Sequence, residues 1–524
     1  MSWFKLKQLK KIRVIVSLVF FVPVSLCFID SWHVIPAPIN NFLTSLQFIP
    51  SVIKVLVYSG LSTLGLIFVV LITIAFGRVY CSTVCPLGTF QDFIIHIEKK
   101  IHKKKRFEYK KPPFIFHYSI LIIVGMFAVA GSMVLLNLLE PFSNYGRVLT
   151  NILEPLAVFA NNGLSYLLGL FQQYTLYNIP MRSVGISVLL APIIFLAVVT
   201  YIAYWHGRLF CNSVCPAGAL LGLISRFSIF KIVIDKIACN DCGACEKVCK
   251  ANCIESGTKR IDFAACVGCF NCIKSCPTDG IDFSLLRINK VNMVKPGYDD
   301  SRRKFFKGVV TPAFGLMIPK IVSSDSSAAA KSGYDVSRRH PVSPPGSRSI
   351  KHFSNLCTAC HLCVTACPTQ VLYPSFLEYG VAGVFQPKMN YEASYCNYDC
   401  VVCSQICPSG AILPVDIAAK KLIQIGKANF FKEDCVVVAK KKDCAACSEH
   451  CPTKAVYMIP YEGKLKIPEL NNDLCVGCGA CEHACPTTPR KAIYVTANPV
   501  HFKAKKPEIK KHEKVFDSKE EFPF

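Results

Sequence analysis

Six short cysteine runs carry the chemistry open to this sequence. "CNDCGACEKVCKANC" holds Cys239, Cys242, Cys245 and Cys249, and "CVGCFNCIKSCP" holds Cys266, Cys269, Cys272 and Cys276. After a gap the pattern returns as "CTACHLCVTACP", with Cys357, Cys360, Cys363 and Cys367, and "CNYDCVVCSQICP", with Cys396, Cys400, Cys403 and Cys407. "CVVVAKKKDCAACSEHCP" adds Cys435, Cys444, Cys447 and Cys451, and "CVGCGACEHACP" adds Cys475, Cys478, Cys481 and Cys485. Three thiolates spaced x2, x2 reach three irons of a cubane, and a fourth at x3 reaches a second cluster beside it. CxxC pairs also bind zinc, but this packing suits a cubane better than a tetrahedral ion. The spacing therefore predicts six 4Fe-4S clusters. One run departs from the rule: Lys250 follows Cys249 where proline is usual, and an additional Cys253 leaves either Cys249 or Cys253 as the distal ligand.

The six runs use 24 of the 30 cysteines. Four more lie in two related texts, "GRVYCSTVCPLGTFQDF" with Cys81 and Cys85, and "GRLFCNSVCPAGALLGL" with Cys211 and Cys215. Spacing i, i+4 puts both sulfurs of a copy on one helix face. Four such sulfurs hold a metal or cluster, or act as redox-active thiol pairs, and the spacing leaves both open. Small buried cysteines also simply pack, a reading that the duplication disfavours. Only Cys27 and Cys253 are left over.

The elements that position these residues follow from composition. The chain has 524 residues, 52% of them hydrophobic, which is enough for several domains and too apolar for an ordinary soluble protein. Cysteine-stapled miniproteins are far shorter. The net charge of +25 would ordinarily suggest nucleic acid or an anionic surface. Cluster-bound thiolates carry negative charge that this count omits, and the remaining basic residues sit beside apolar segments. Apolar runs at 12–29, 59–77, 114–139 and 184–206 are each long enough to cross a hydrocarbon core of about 30 Å. Weaker stretches at 35–58 and 153–171 read as interfacial. Lys5, Lys7, Lys10, Lys11, Arg13 and "EKKIHKKKRFEYKK" flank the first and third runs, so the positive-inside rule puts both ends of a four-helix domain in the cytoplasm. The two CxxxCP copies follow the second and fourth helices. They read as a parallel repeat at one membrane depth, near the cytoplasmic face.

At this point a resemblance emerges. Residues 1 to about 285, with two GRxxCxxxCP copies and a two-cluster module, resemble the NapH-type membrane subunit of quinol dehydrogenases. Residues from about 340 to 497, with "SPPGS" and four runs of which the middle two are irregular, resemble the NapG-type ferredoxin of periplasmic nitrate reductase systems. The chain looks like the two subunits fused. The resemblance implies a membrane α-helical, four-helix transmembrane domain plus α+β bacterial-ferredoxin-like 4Fe-4S domains. It implies a cross-pairing in which Cys276 completes the first cluster and Cys249 the second. In the C-terminal part it pairs the first run with the last: Cys367 would complete the cluster of Cys475, Cys478 and Cys481, and Cys485 that of Cys357, Cys360 and Cys363.

Boundaries are expected at 1–230 for the membrane domain, 231–290 for the two-cluster domain and 291–345 for a linker. A four-cluster domain at 346–500 and a charged tail at 501–524 complete the chain. The linker contains "SRRKFFK", a twin-arginine signal followed by a weakly apolar stretch and "SSAAA", a cleavage site or part of a fifth anchor. Twin-arginine export carries folded cargo, which clusters assembled in the cytoplasm require. The functional expectation is an inner-membrane electron carrier with the first ferredoxin domain cytoplasmic and the second periplasmic. It would pass electrons from quinol to a respiratory reductase or cytochrome, the clusters doing the redox chemistry. Candidate quinol contacts are His33, Glu140, Arg147 and Glu154 at the outer helix ends, and His117 and His206 at the inner ends. The alternative is an accessory protein for assembly or reactivation of a respiratory metalloenzyme. No GxGxxG follows a strand, so no nicotinamide site is expected.

Overall fold

In the computed structural model the described residues are 3–58, 60–101, 113–235, 237–285 and 340–506. The twin-arginine stretch, most of the basic 98–111 loop and residues 507–524 of the tail lie outside them. The N-terminal part is a helical bundle: α1 (Trp3–Cys27), α2 (Ala37–Ser45), α3 (Phe48–Val57), α4 (Leu61–Phe76), α5 (Tyr80–Thr83), α6 (Pro86–Ile101), α7 (Phe114–Val129), α8 (Val134–Leu139), α9 (Pro141–Val148), α10 (Glu154–Leu170), α11 (Ile186–His206), α12 (Leu209–Ser213) and α13 (Pro216–Ser225). Among the described residues α11 alone is long and apolar enough to cross a membrane, with mean hydropathy 2.5. The second and third apolar runs form helices of 16 residues, the third ending at the Gly131 turn before α8. The bundle leaves large apolar side chains exposed around its flanks, among them Leu64, Leu71, Ile115, Ile186 and Phe159.

The stretch read as interfacial at 35–58 packs one side into the bundle and leaves Ile39, Phe42 and Leu56 exposed. α2 and α3 form a hairpin whose tip reaches Tyr80: the Phe48 amide donates to the Tyr80 hydroxyl at 3.0 Å, which donates to Gln47 Oε1 at 3.3 Å. A buried chain apex with polar groups is stable only when such partners are present. The stretch 153–171 likewise keeps one face exposed along α10 (Leu156, Phe159, Leu164).

α1 is the ruler of the bundle. Arg13 bonds Ser82 and Asp92, Ser17 bonds Thr89, Ser25 bonds Tyr145, and the Phe28 carbonyl, one residue beyond the helix, accepts from Thr365. At 1.5 Å per residue, Arg13 and Phe28 are about 22 Å apart along the axis.

Two small α+β modules sit at the two ends of that ruler. In the first, β1 (Phe230–Ile234) pairs antiparallel with β4 (Ile281–Leu285), while β2 (Ile254–Glu255) pairs with β3 (Arg260–Ile261). It stacks on the end of α4 through Phe76, Phe230 and Phe283. In the second, hairpins β5 (Leu372–Pro374)–β6 (Pro387–Met389) and β8 (Val456–Pro460)–β9 (Lys466–Leu470) flank a long pair, β7 (Ile423–Phe430)–β10 (Ile493–Lys503). Elements this short bury little, so much of each module's stability must come from what its cysteines bind.

Candidate functional site

The cysteine loops are wound for a bulky centre. In the four regular runs the residues flanking the second cysteine are left-handed: Asp241 and Gly243, Gly268 and Phe270, Ala359 and His361, Gly477 and Gly479, with φ between 53° and 81°. Non-glycine residues there cost about 1–3 kcal/mol each and persist only where their surroundings demand it. This winding turns amides toward sulfur, as where Ala359 N–H donates to Cys357 Sγ at 3.4 Å. Cys249, Cys253, Cys266, Cys269 and Cys272 line one cavity with Ile232, Ile254 and Phe270. A cavity lined by sulfur and hydrocarbon fits a cubane. Among the described residues no three His, Cys, Asp or Glu side chains converge as a single ion would need.

Burial pushes the Cys245 thiol up to about 11. Burial, with the charges of Cys444, Cys435 and Cys485, pushes Cys447 up to about 12. The hydrogen bond from Cys253 works the other way and brings the Cys249 thiol down to about 7; at the thiols that burial raises, iron must displace protons as it binds.

Which sulfurs stand together differs from the expectation in the C-terminal module. Cys407 joins Cys357, Cys360 and Cys363, and Cys367 joins Cys396, Cys400 and Cys403. Cys485 joins Cys435, Cys444 and Cys447, while Cys451 joins Cys475, Cys478 and Cys481. Neighbouring runs thus exchange their fourth cysteines, and the pairing of first run with last is corrected. The segments outside the first and last runs do meet through backbone: β10 returns to the start of the module, where His501 N–H donates to Arg348 O and Ser349 bridges Val500. In the first module Cys249 faces Cys266, Cys269 and Cys272, with Cys253 Sγ 3.5 Å from Cys249 Sγ.

The groups form a file. Cys245 neighbours Cys272, Cys363 neighbours Cys403, and Cys447 neighbours Cys481. Cys396 N–H donates to Cys478 O at 2.9 Å, joining the two halves of the C-terminal module.

Between the modules lie the CxxxCP copies, related by the expected repeat. Gly77 and Gly207 end their helices at φ 77° and 65°, conformations that favour glycine. The arginine after each crosses to the other copy. Arg78 Nη2 donates to Cys211 O at 3.0 Å, and Arg208 Nη1 donates to Cys81 O at 2.7 Å. A Cβ on Gly88 or Gly218 would lie 2.1 or 2.2 Å from those same carbonyls, so only glycine lets the chains close. Cys81, Cys85, Cys211 and Cys215 are all buried and within range of one another's charge. Cys211 Sγ contacts Gln91 Oε1 at 3.5 Å and Gly218 N–H donates to Cys215 Sγ at 3.3 Å.

Asp92 anchors the assembly. It pairs with Arg13 at 2.7 Å, Arg208 at 2.8 Å and Lys250 at 3.1 Å. This accounts for the lysine that follows Cys249: its ammonium joins Asp92 and its carbonyl accepts from the Arg208 amide at 2.8 Å. Neither the arginines' crossing nor Asp92 was singled out from sequence, although the duplicated Gly-Arg before each Cys was the available signal.

Toward the other end, Tyr80 lies within range of Cys85 and Glu140, and Glu140 within range of Cys360. Glu140 caps α9, accepting from Phe142 N–H at 3.0 Å and from Ser143 N–H. Arg147 stacks over Phe385 at 4.9 Å. A single π turn at Leu149–Leu153 re-aims α9 so that Thr150 meets Thr365 at 3.0 Å and Asn151 meets His361 at 3.2 Å. Lys54 donates to Cys407 O at 2.9 Å and Arg182 to Val364 O at 3.0 Å. Of the expected quinol contacts, Glu140, Arg147 and Glu154 are buried in this junction. His117 Nε2 lies 2.9 Å from Cys215 O, beside the quartet. His33 is exposed and His206 half-buried at the end of α11; the structure brings neither to these groups.

Comparison with known proteins gives concordant matches. The description "4Fe-4S binding domain" matches residues 58–104 and 187–234, around the CxxxCP copies, and "4Fe-4S dicluster domain" matches 342–411 and 442–488. The ferredoxin-type protein NapF of Escherichia coli (strain K12) is 30% identical over 157 residues, 30% of this chain and 87% of the relative. The ferredoxin-type protein NapG of Haemophilus influenzae is 30% identical over 213 residues, 38% of this chain and 72% of the relative. The methylamine utilization ferredoxin-type protein MauM of Methylorubrum extorquens is 30% identical over 212 residues, 37% of this chain and 87% of the relative. No solved structure matches.

Proposed function

The chain belongs to the family of ferredoxin-type 4Fe-4S polyferredoxins, iron–sulfur electron-transfer proteins, and from that premise we propose that it carries electrons from a membrane quinol to a respiratory reductase. The 4Fe-4S clusters, when bound, accept and release single electrons. The residues assigned to hold six of them are Cys239, Cys242, Cys245 with Cys276; Cys266, Cys269, Cys272 with Cys249; and the four C-terminal groups described above.

The observation that carries this reading is the file itself. Cys266 lies beside Arg78, Arg78 beside Cys81 and Cys211, and Tyr80 and Glu140 fill the interval to Cys360. Tunnelling weakens exponentially with distance, so a helical domain about 22 Å deep between the modules would be slow to cross without an intermediate group. The chain places its sulfur quartet in that interval.

The helical domain is read as a four-helix inner-membrane domain of NapH type fused to a NapG-type ferredoxin. In support, many large apolar side chains stand exposed along its flanks, as they would against lipid. The two modules would then lie on opposite sides, the first cytoplasmic and the second periplasmic, with "SRRKFFK" exporting the second in folded form. A periplasm-dependent reporter after Val500 should be active in the parent and inactive when Arg302 and Arg303 become Lys; unchanged activity rejects this topology.

Function is tested by adding a reduced quinol analogue to anaerobic membranes and following the clusters by low-temperature EPR. Reduction of clusters in both modules is expected. Clusters that stay oxidised with quinol, yet are reduced by dithionite, would show that electrons enter from another donor.

A further inference from the structure

The CxxxCP copies carry two cysteines each, too few for a cluster, and each match to the 4Fe-4S description covers only one copy. We propose that Cys81, Cys85, Cys211 and Cys215 together hold a seventh iron–sulfur cluster, seated on the pseudo-twofold axis of the repeat. This deepens the reading above, which requires a carrier at that place but does not say what it is.

Charge is the first argument. Arg78 is 1% exposed, and its hydrogen-bond acceptors are Asn212 Oδ1 at 2.9 Å, Ala264 O at 2.7 Å, Cys211 O at 3.0 Å and Cys81 Sγ at 4.0 Å, none a carboxylate. A guanidinium cannot shed its proton, so its burial calls for a nearby anion. Asp92 cannot serve, because it already answers Arg13, Arg208 and Lys250. Negative charge beside Arg78 comes from sulfur on two sides, Cys81 of the quartet at 4.0 Å and Cys266 of the neighbouring site, and four thiolates of the quartet on an iron–sulfur core would form a net anion against one side of the guanidinium.

Rigidity is the second. Each half-site is locked to the other by the crossed arginines, and the glycine contacts allow no slack. Thiol pairs that cycle through a disulfide must move their sulfurs together and apart; a cluster needs ligands held still. Position is the third. Ser82 donates to Gly268 O at 3.5 Å, and Gly268 lies in the loop between Cys266 and Cys269, so the quartet abuts the neighbouring cluster site. The centre would take one electron from that cluster and release one toward Cys357, Cys360, Cys363 and Cys407, with no bond made or broken.

The test is iron and acid-labile sulfide per full-length chain, purified anaerobically, beside quantitative EPR. The parent should carry about 28 iron, and Cys81→Ala/Cys211→Ala about 24, with the ferredoxin signals unchanged. Equal iron in both proteins overturns the proposal, as does a parent with about 24 iron and all six ferredoxin signals at full intensity; the parent count decides if the variant does not assemble. Arg78→Gln should shift to lower potential the redox transition that is missing from Cys81→Ala/Cys211→Ala, because a positive charge beside that reduced centre is lost, and Arg78→Lys should restore it. No shift in either also overturns the proposal. These readouts involve no quinol, so they stand or fall separately from the choice of electron donor.

Discussion

Replacing Cys407 with alanine is expected to remove the cluster of Cys357, Cys360 and Cys363, about four iron per chain, and to leave that of Cys435, Cys444 and Cys447 in place. The run containing Cys407 is adjacent in sequence to the one it completes, and Lys54 fixes the Cys407 carbonyl against the helical domain. Cys485→Ala should do the converse, deleting the far cluster and sparing the near one. The functional consequences should differ sharply. Loss of the Cys407-dependent cluster opens the file where it meets the helical domain and should cut off everything beyond it. Loss of the Cys485-dependent cluster shortens only its far end. EPR of the two variants decides the matter: if Cys485→Ala rather than Cys407→Ala removes the cluster of Cys357, Cys360 and Cys363, the pairing of neighbouring runs is wrong.

Asp92→Asn should be among the most destabilising single substitutions in the helical domain. Its carboxylate meets Arg13, Arg208 and Lys250, with both Asp92 and Arg208 almost wholly removed from solvent. Removing one partner of a buried pair leaves uncompensated charge and costs about 3–5 kcal/mol, and here three cations are stranded together. By contrast Glu378→Gln, which breaks a half-exposed pair with Lys388, should cost no more than about 1 kcal/mol. Denaturation midpoints in detergent compare the two. Similar small shifts would mean that the Asp92 node does not hold the first module to the helices. Because Lys250 belongs to that module, Asp92→Asn should also loosen its seating, visible as a change in the EPR line shape of the Cys266 cluster.

The ligand chemistry was legible in the sequence because thiolate geometry is local. A cubane demands x2, x2 spacing, and the left-handed residues that wrap it lie within the same few positions. The repeat was legible for the same reason, since Gly-Arg-x-x-Cys-x-x-x-Cys-Pro is one local text written twice. What sequence could not supply was partnership at a distance. The crossing of Arg78 to Cys211 spans the bundle, and the Asp92 node joins α1, α6, the start of α12 and the first module. The C-terminal pairing was misjudged because β10 does bring the segment after the last run back to the segment before the first, a true neighbourhood that carries backbone bonds rather than ligands. Pro and Asn interrupt the apolar stretch of the α2–α3 hairpin, which is why it reads as interfacial. Asn40, Gln47 and Ser51 are buried, and bonds such as Ser51 to Ser45 O at 2.7 Å and Tyr80 to Gln47 Oε1 at 3.3 Å meet part of their polar surface, while Asn40 Oδ1 and Gln47 Nε2 have no partner among the described residues.

The central claim is that electrons pass through the helical domain from one module to the other. It is tested most directly in sealed proteoliposomes with uniformly oriented protein, by adding dithionite, a reductant excluded by the bilayer, to the first module's side and recording rapid-freeze EPR. The C-terminal clusters should be reduced in the parent, and in Cys81→Ser/Cys211→Ser only the first module's clusters should respond while the others remain assembled and oxidised. C-terminal clusters that stay oxidised in the parent, or that are reduced at the parental rate in the double variant, would contradict it.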